Sequence, residues 1–354
     1  MVERFLKQTH FESIEDYNKN LTGIGFAAAE PAAGISCGAW AVYWDADSGL
    51  EEAGAMNPAP DRLIAFEALF GMDRKVMMEP QAEELLMKMQ SIFPADRIWL
   101  SVVNDLSLEQ GRYSNKNRQL VRDLTGTPEQ RENHVRELVA LAEEWQLKGL
   151  EIDYENIHGD VIIWQGFTAF VQELYEELRE RGIALRVCLE WDSRLYTELP
   201  EGPEYSIMCY SLFGYHSGPG PKADSGFLKK AAELYRDRKD CAMALATGGY
   251  DWNGNSVERE LTEKQAERIF RSRNIKPVRD ADSGVLYGSY LQDGQTHTVW
   301  YADAETLRGW METLRGYGFS KFDFFRLGGN TVEDWNERIL YLQGRKSGKE
   351  DTEP

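Results

Sequence analysis

Eight short apolar runs recur along this chain, and segments carrying helix signals alternate with them. The runs are Ser36 to Trp44, Arg62 to Leu69, Arg97 to Val103, Leu147 to Ile157, Ala184 to Glu190, Glu204 to Tyr210, Cys241 to Thr247 and Lys321 to Leu327. Helices are read at Pro80 to Met89, Thr127 to Trp145, Gly166 to Arg181, Gly226 to Asp237 and Val332 to Leu342. Thr127-Pro128-Glu129 supplies an N-cap, a first-turn proline and an early acid, and Gly182 ends its helix. Strands separated in this way take right-handed crossovers and run parallel. Eight of them predict an α/β fold, the (β/α)8 TIM barrel. The open doubly wound alternative lacks its glycine fingerprint after the first strand.

One segment interrupts the alternation. Leu286 to Tyr290 and Thr296 to Trp300 flank Asp293-Gly294, a hairpin signal, so a small antiparallel β insertion is expected between strands seven and eight, over about residues 250–303. The remaining layout is an N-terminal helix and linker over 1–35, a barrel over 36–343, and a polar, disordered tail over 344–354. A loop is expected at Asp45 to Gly49, and Asn104-Asp105 closes the third strand.

Composition bounds the partners. A formal charge of −19 disfavours nucleic acid, anionic membrane and polyanionic substrates, and suits a neutral polysaccharide better. Ten Trp, 16 Tyr and 15 Phe are ample for a core and for surfaces that stack on sugars. Cys37, Cys188, Cys209 and Cys241 read as buried free thiols, and the five histidines (His10, His134, His158, His216, His297) show no metal-ligand spacing. No metal or cofactor is expected. The first 21 residues lack the apolar core of a signal peptide, and no run approaches the ~18 apolar residues of a membrane span. The expectation is a soluble cytoplasmic protein, or a secreted or cell-wall one if a leader was removed; the oligomeric state is open.

Within the fourth run, Leu147-Lys148-Gly149-Leu150-Glu151-Ile152-Asp153-Tyr154-Glu155, character alternates with period two. Leu150, Ile152 and Tyr154 point one way; Glu151, Asp153 and Glu155 point the other, about 7 Å apart. Carboxylates so placed inside a fold share protons and raise at least one pKa, which is how a general acid is made at neutral pH. An exposed acidic edge strand is the plain alternative. In a barrel the chemistry gathers at the C-terminal strand ends. Glu155 at the end of strand four then reaches substrate, Asp153 bonds to Glu155 and substrate, and Glu151 tunes Asp153. Trp44, Trp191, Tyr250 and Trp252 fall near strand ends and could stack on pyranose rings or pack inside. Glu67 closes strand two; Glu190 ends strand five and lines the cleft or pairs with Arg326.

These residues resemble glycoside hydrolase family 18, the chitinases and endo-β-N-acetylglucosaminidases. Gly149, Asp153 and Glu155 match its D-G-x-D-x-D-x-E signature, with Glu151 standing for the first Asp of the series. Met208 and Tyr210 match M-x-Y-D, with Ser211 in place of Asp. Val299-Trp300-Tyr301-Ala302-Asp303 and Gly318 to Gly329 match the closing block, with Phe325 where a tryptophan floors the sugar site. That block is nearest the spore-cortex and germination type. The resemblance implies a hydrolase of β-1,4 bonds beside N-acetylglucosamine, in chitin oligomers, peptidoglycan or N-glycan core. It implies Glu155 as acid, Asp153 as its partner and Tyr210 as a hydrogen-bond donor to the substrate's acetamido group. Strand seven ends without a carboxylate, in keeping with a family whose substrate supplies the nucleophile. Two other readings stay open: a catalytically silent, lectin-like carbohydrate-binding barrel, and a two-carboxylate glycosidase using Glu190.

Overall fold

The structure is a computed structural model and describes residues 34–57 and 59–331. The expected leading helix, the closing helix from Val332 and the polar tail lie outside the described residues.

Eight strands form the parallel barrel: β1 (Ser36–Val42), β2 (Arg62–Phe70), β4 (Ile98–Leu108), β6 (Gly149–Asp153), β7 (Ala184–Glu190), β8 (Glu204–Met208), β9 (Ala242–Ala246) and β15 (Lys321–Phe325). Their order runs β2-β1-β15-β9-β8-β7-β6-β4, and β4 returns to β2 to close the sheet. Two short strands add antiparallel edges, β3 (Val76–Met78) on β2 and β5 (Arg112–Ser114) on β4. The chain gathers into two compact units, one holding Phe66–Ile207 and Lys229–Cys241, the other Met208–Leu228 with the remaining described residues.

In the first unit, register fixes which residues share the barrel interior. Trp99, Gly149 and Ala184 are in register on β4, β6 and β7; Ser101, Glu151 and Arg186 form the next layer, and Val103, Asp153 and Cys188 the one above. The lowest layer needs glycine, because a Cβ at Gly149 would sit 2.1 Å from the Trp99 ring. The opposite face of β6 packs on helices Pro128–Glu144 and Val161–Glu180: the Tyr154 hydroxyl lies 2.8 Å from His134 Nε2, and its ring stacks on Phe170. Both helices start on side-chain caps, Thr127 and Asp160. The alternation in β6 therefore divides carboxylates from aromatic core as expected.

The second unit holds the insertion, a five-stranded antiparallel sheet in the order β11-β10-β14-β13-β12. Its strands are β10 (Gly248–Asn253), β11 (Ser256–Leu261), β12 (Val278–Arg279), β13 (Leu286–Gln292) and β14 (Gln295–Ala302). Asp293 and Gly294 both adopt positive φ, 51° and 76°, as a two-residue hairpin turn demands. Leu261, Phe270, Tyr290, Val299 and Tyr301 form a core between the sheet and helix Glu263–Ser272, which opens on a Thr262–Gln265 capping box. Buried Asp251 accepts from Tyr290 Oη (2.6 Å) and Arg259 Nη2 (3.0 Å) and lies 3.1 Å from His297 Nδ1, so its charge is compensated.

Three local expectations are corrected. Asp45 to Gly49 is no loop: helix Ala46–Ala55 begins there, and Gly49 faces Leu327 with room for contact. β4 runs past Asn104-Asp105 to Leu108 because β5 pairs with its far end. β6 stops at Asp153, so Glu155 lies in the loop beyond it.

Candidate active site

Glu155 is outside regular structure, yet its backbone is fixed. Asn104, buried near the end of β4's interior stretch, accepts from Glu155 N and donates to Glu155 O, both at 2.9 Å. Asn156 next to it takes φ 61°, a left-handed turn of the chain, and the Glu155 side chain is 19% exposed. Oε2 of that carboxylate receives Lys116 Nζ at 2.6 Å. The turn carrying Lys116 is itself held, Lys116 N donating to Asp105 Oδ1 (2.7 Å) and Asn156 Nδ2 to Lys116 O (3.2 Å).

Asp153 lies below, at the end of β6, and its Oδ1 is buried with no hydrogen-bond donor among the described residues. Burial first, then the charges of Glu155 and Glu151, push its carboxyl well above the ordinary range. Burial also raises Glu155, against the pull of Lys116. One layer down, Glu151 is fully buried and forms a salt bridge with Arg186, its register partner on β7, whose Nε donates at 2.6 Å.

Glu67 is buried within β2, three residues before the strand ends at Phe70, and is pushed up to about 8 by burial and by the charge of Asp105. The folded protein keeps that proton up to about pH 8, whereas the unfolded chain releases it near its ordinary 4.5. Across that window the unfolded state binds fewer protons, so Glu67 makes stability fall as pH rises. Glu67→Gln should therefore gain stability over the wild type at pH 8 and match it at pH 4. Urea denaturation at the two values checks this; equal differences at both would remove Glu67 as the source.

Glu190 ends β7 and accepts from Asn156 N at 3.2 Å, with His158 Nδ1 at 3.1 Å. That bond raises the His158 pKa and favours its charged form. Arg326 belongs to the second unit, where its Nη1 donates to Asp45 Oδ2 at 2.7 Å. Trp191, half-buried, follows Glu190 in the turn after β7.

The second unit carries the remaining expected residues. Tyr210, two residues past β8, stacks on Phe325 with centroids 6.2 Å apart and planes at 17°, and Phe325 leans on Trp40. The smaller ring at 325 is thus held as a flat surface between two aromatic neighbours. Buried Glu52 fixes the chain after it, accepting from Gly328 N, Asn330 N and Asn330 Nδ2. Tyr250 is half-buried beneath the Lys222 ammonium, 4.7 Å from its centroid. Trp44 is 51% exposed and Ser211 is exposed. Trp252 is corrected: it is fully buried in β10 and cannot stack on a sugar.

Sequence reasoning missed Asn104, Asp105, Lys116 and His158 as parts of the Glu155 cluster. Only Asn104-Asp105 carried a signal, polar residues at the end of an apolar strand; Lys116 lies 39 residues from its partner. Among the described residues, no group of three or more His, Cys, Asp or Glu is arranged to hold a metal ion, and the four cysteines are buried and form no disulfide.

No family model matches the chain. The Bacillus subtilis protein YdhD, which bears the name of a sporulation-specific glycosylase, is 22% identical over 232 residues. That match takes in 60% of this chain and 53% of the relative, so the chain spans about half the length of the curated relative it matches. Among solved structures, a chitinase from Chromobacterium violaceum superposes with a TM-score of 0.73 at 18% identity, over 88% of this chain and 100% of that one. The spore cortex-lytic enzyme SleL of Bacillus cereus gives 0.73 at 16%, over 91% and 77%. A class V chitinase from Nicotiana tobaccum gives 0.68 at 14%, over 89% and 100%. The chain thus has the barrel fold of the chitinases and spore cortex-lytic enzymes toward which its own motif residues point.

Proposed function

We propose that the protein is a glycoside hydrolase that cuts β-1,4 bonds next to N-acetylglucosamine with retention, the substrate's own acetamido group acting as nucleophile. The observation that carries this reading is the buried, unpaired Oδ1 of Asp153. A buried acceptor left without a donor costs about 1–3 kcal/mol, so it fits a site completed by a ligand N–H. The acetamido N–H is such a donor.

In this scheme Glu155 gives its proton to the leaving glycosidic oxygen as the acetamido carbonyl oxygen attacks the anomeric carbon. The C–O bond to the leaving sugar breaks and an oxazolinium ring forms. Asp153 accepts from the ring N–H and offsets the positive charge. Water then adds at the anomeric carbon, giving its proton to Glu155 and reopening the acetamido group. Trp191, in the turn after β7, would offer a face to the sugar. Glu190 is a poor nucleophile for the two-carboxylate alternative, because Asn156 N and His158 already engage it. One fold neighbour was solved in complex with NAG4, which supports a carbohydrate ligand for this site.

The test is a matched pair of 4-methylumbelliferyl oligosaccharides, one of N-acetylglucosamine and one of glucose. Release from the first alone is expected. Equal release from both would replace the acetamido mechanism with the two-carboxylate one. Binding of the first without release by a folded protein would move the assignment to the lectin-like barrel.

A further inference from the structure

The contact between Lys116 and Glu155 is at odds with the role just given to Glu155. A general acid must hold a proton, and an ammonium group on its carboxylate oxygen favours the ionised form. Two features of Lys116 bear on this. Its backbone is tied at both polar atoms, N to Asp105 and O to Asn156, and Asn117 after it caps helix Arg118–Thr125. Its side chain is 54% exposed, and among the described residues its ammonium hydrogen-bonds Glu155 alone. The backbone is fixed, and the half-exposed side chain is held at its tip by the Glu155 contact.

The surroundings make the pairing local in cause. Glu155 faces Lys116 from the β5–helix turn, Asp105 from β4, Asp153 from β6 and Glu190 from β7, with Glu67 of β2 acting on Asp153. Glu190 and Asp105 repel an ionised Glu155, and Asp153 and Glu155 disfavour each other's charge. Lys116 is a neighbour that stabilises the Glu155 charge, and it does so by a direct bond to a carboxylate oxygen.

We propose that Lys116 is a latch on the acid: in the free protein it holds the Glu155 carboxylate, and the incoming sugar displaces its ammonium so that Glu155 can take up the proton it donates. This rests on the hydrolase reading above. Lys116 is then a positioning residue, acting through Glu155 on the first half of the reaction. After the glycosyl transfer, when Glu155 is again ionised, the returning ammonium stabilises the product state of the protein.

The test follows the Glu155 carboxyl directly, by NMR of protein carrying carbon-13 at its glutamate carboxyls, with Glu155→Gln to assign the resonance. In the free protein Lys116→Met should raise the Glu155 titration by about one pH unit or more, and Lys116→Arg should restore it toward the wild-type position. Adding tri-N-acetylchitotriose should move the wild-type titration up toward that of Lys116→Met and leave the variant little changed. In turnover, the alkaline limb of kcat/KM, which reports free enzyme, should move up in Lys116→Met while that of kcat stays in place. Equal Glu155 titrations in wild type and Lys116→Met overturn the latch, as does a wild-type titration that the bound oligomer leaves unmoved. An oligomer that binds neither protein overturns the hydrolase reading and the release step with it, while the free-protein titration still reports the pairing.

Discussion

Glu155→Gln is expected to lower the release of 4-methylumbelliferone from N-acetylglucosamine oligomers by on the order of 10²–10⁴-fold, the contribution of a placed general acid. Glutamine keeps the shape, and the Asn104 bonds that fix residue 155 are to its backbone, so the variant should fold and still bind the oligomers. It cannot donate the proton that the leaving oxygen needs. Thermal melts matching the wild type, with oligomer affinity retained, separate this loss from unfolding. Wild-type rates in the variant would move the acid elsewhere in the carboxyl cluster, with Glu190 first in line. The pH dependence carries a sign of its own. On the proposed mechanism Glu155 works protonated, so activity should fall as pH rises through its raised pKa, and burial would extend activity toward neutral pH.

How much of this was readable from the chain differs by residue. That Glu151 and Asp153 share one face of β6 was readable because a period-two strand shows its faces in the letters themselves, and Tyr154 keeps the phase by packing on His134 and Phe170. The hairpin was readable for a similar reason: Asp293-Gly294 is short-range chemistry. Helix Ala46–Ala55 was not, since Asp45-Ala46-Asp47-Ser48-Gly49 is turn chemistry locally; the helix nonetheless buries Leu50, Glu52 and Ala53. Trp252 shows the same limit from the other side. An aromatic near a strand end has no preference between sugar and core until its neighbours are placed, and here they enclose it. Lys116 and Asn104 belong to the site only through the parallel pairing of β4 with β6, which brings the β4 end beside the loop after β6. Nothing local to Ser114-Asn115-Lys116-Asn117 announces it.

The second large effect concerns stability, through Glu151 and Arg186. Glutamate stands at 151 where the resemblance leads one to expect aspartate, and the register explains how the barrel accommodates it. Arg186 is directly opposite on β7, and the longer acid forms an ion pair with it where both are almost fully buried, 0% and 1% exposed. The guanidinium also lies over the Trp99 ring in the layer below, 5.8 Å from its centroid. Replacing Glu151 alone with leucine strands a charged arginine inside the barrel, and the expected cost is about 3–5 kcal/mol of unfolding free energy. Arg186→Leu alone strands the acid and should cost a similar amount. The double variant Glu151→Leu/Arg186→Leu leaves neither charge uncompensated, so it should recover most of the loss, because a buried pair gains little over apolar groups of like volume. Denaturation of the four proteins measures this cycle, and additive losses in the double variant would show that the two residues act independently. The same cycle reaches the active site. Glu151 is one of the charges that push Asp153 upward, so a folded Glu151→Leu single variant, which keeps Arg186, should hold Asp153 at a lower pKa than the wild type. The acidic limb of its pH–rate profile should then shift down, linking the layer that stabilises the barrel to the layer that does the chemistry.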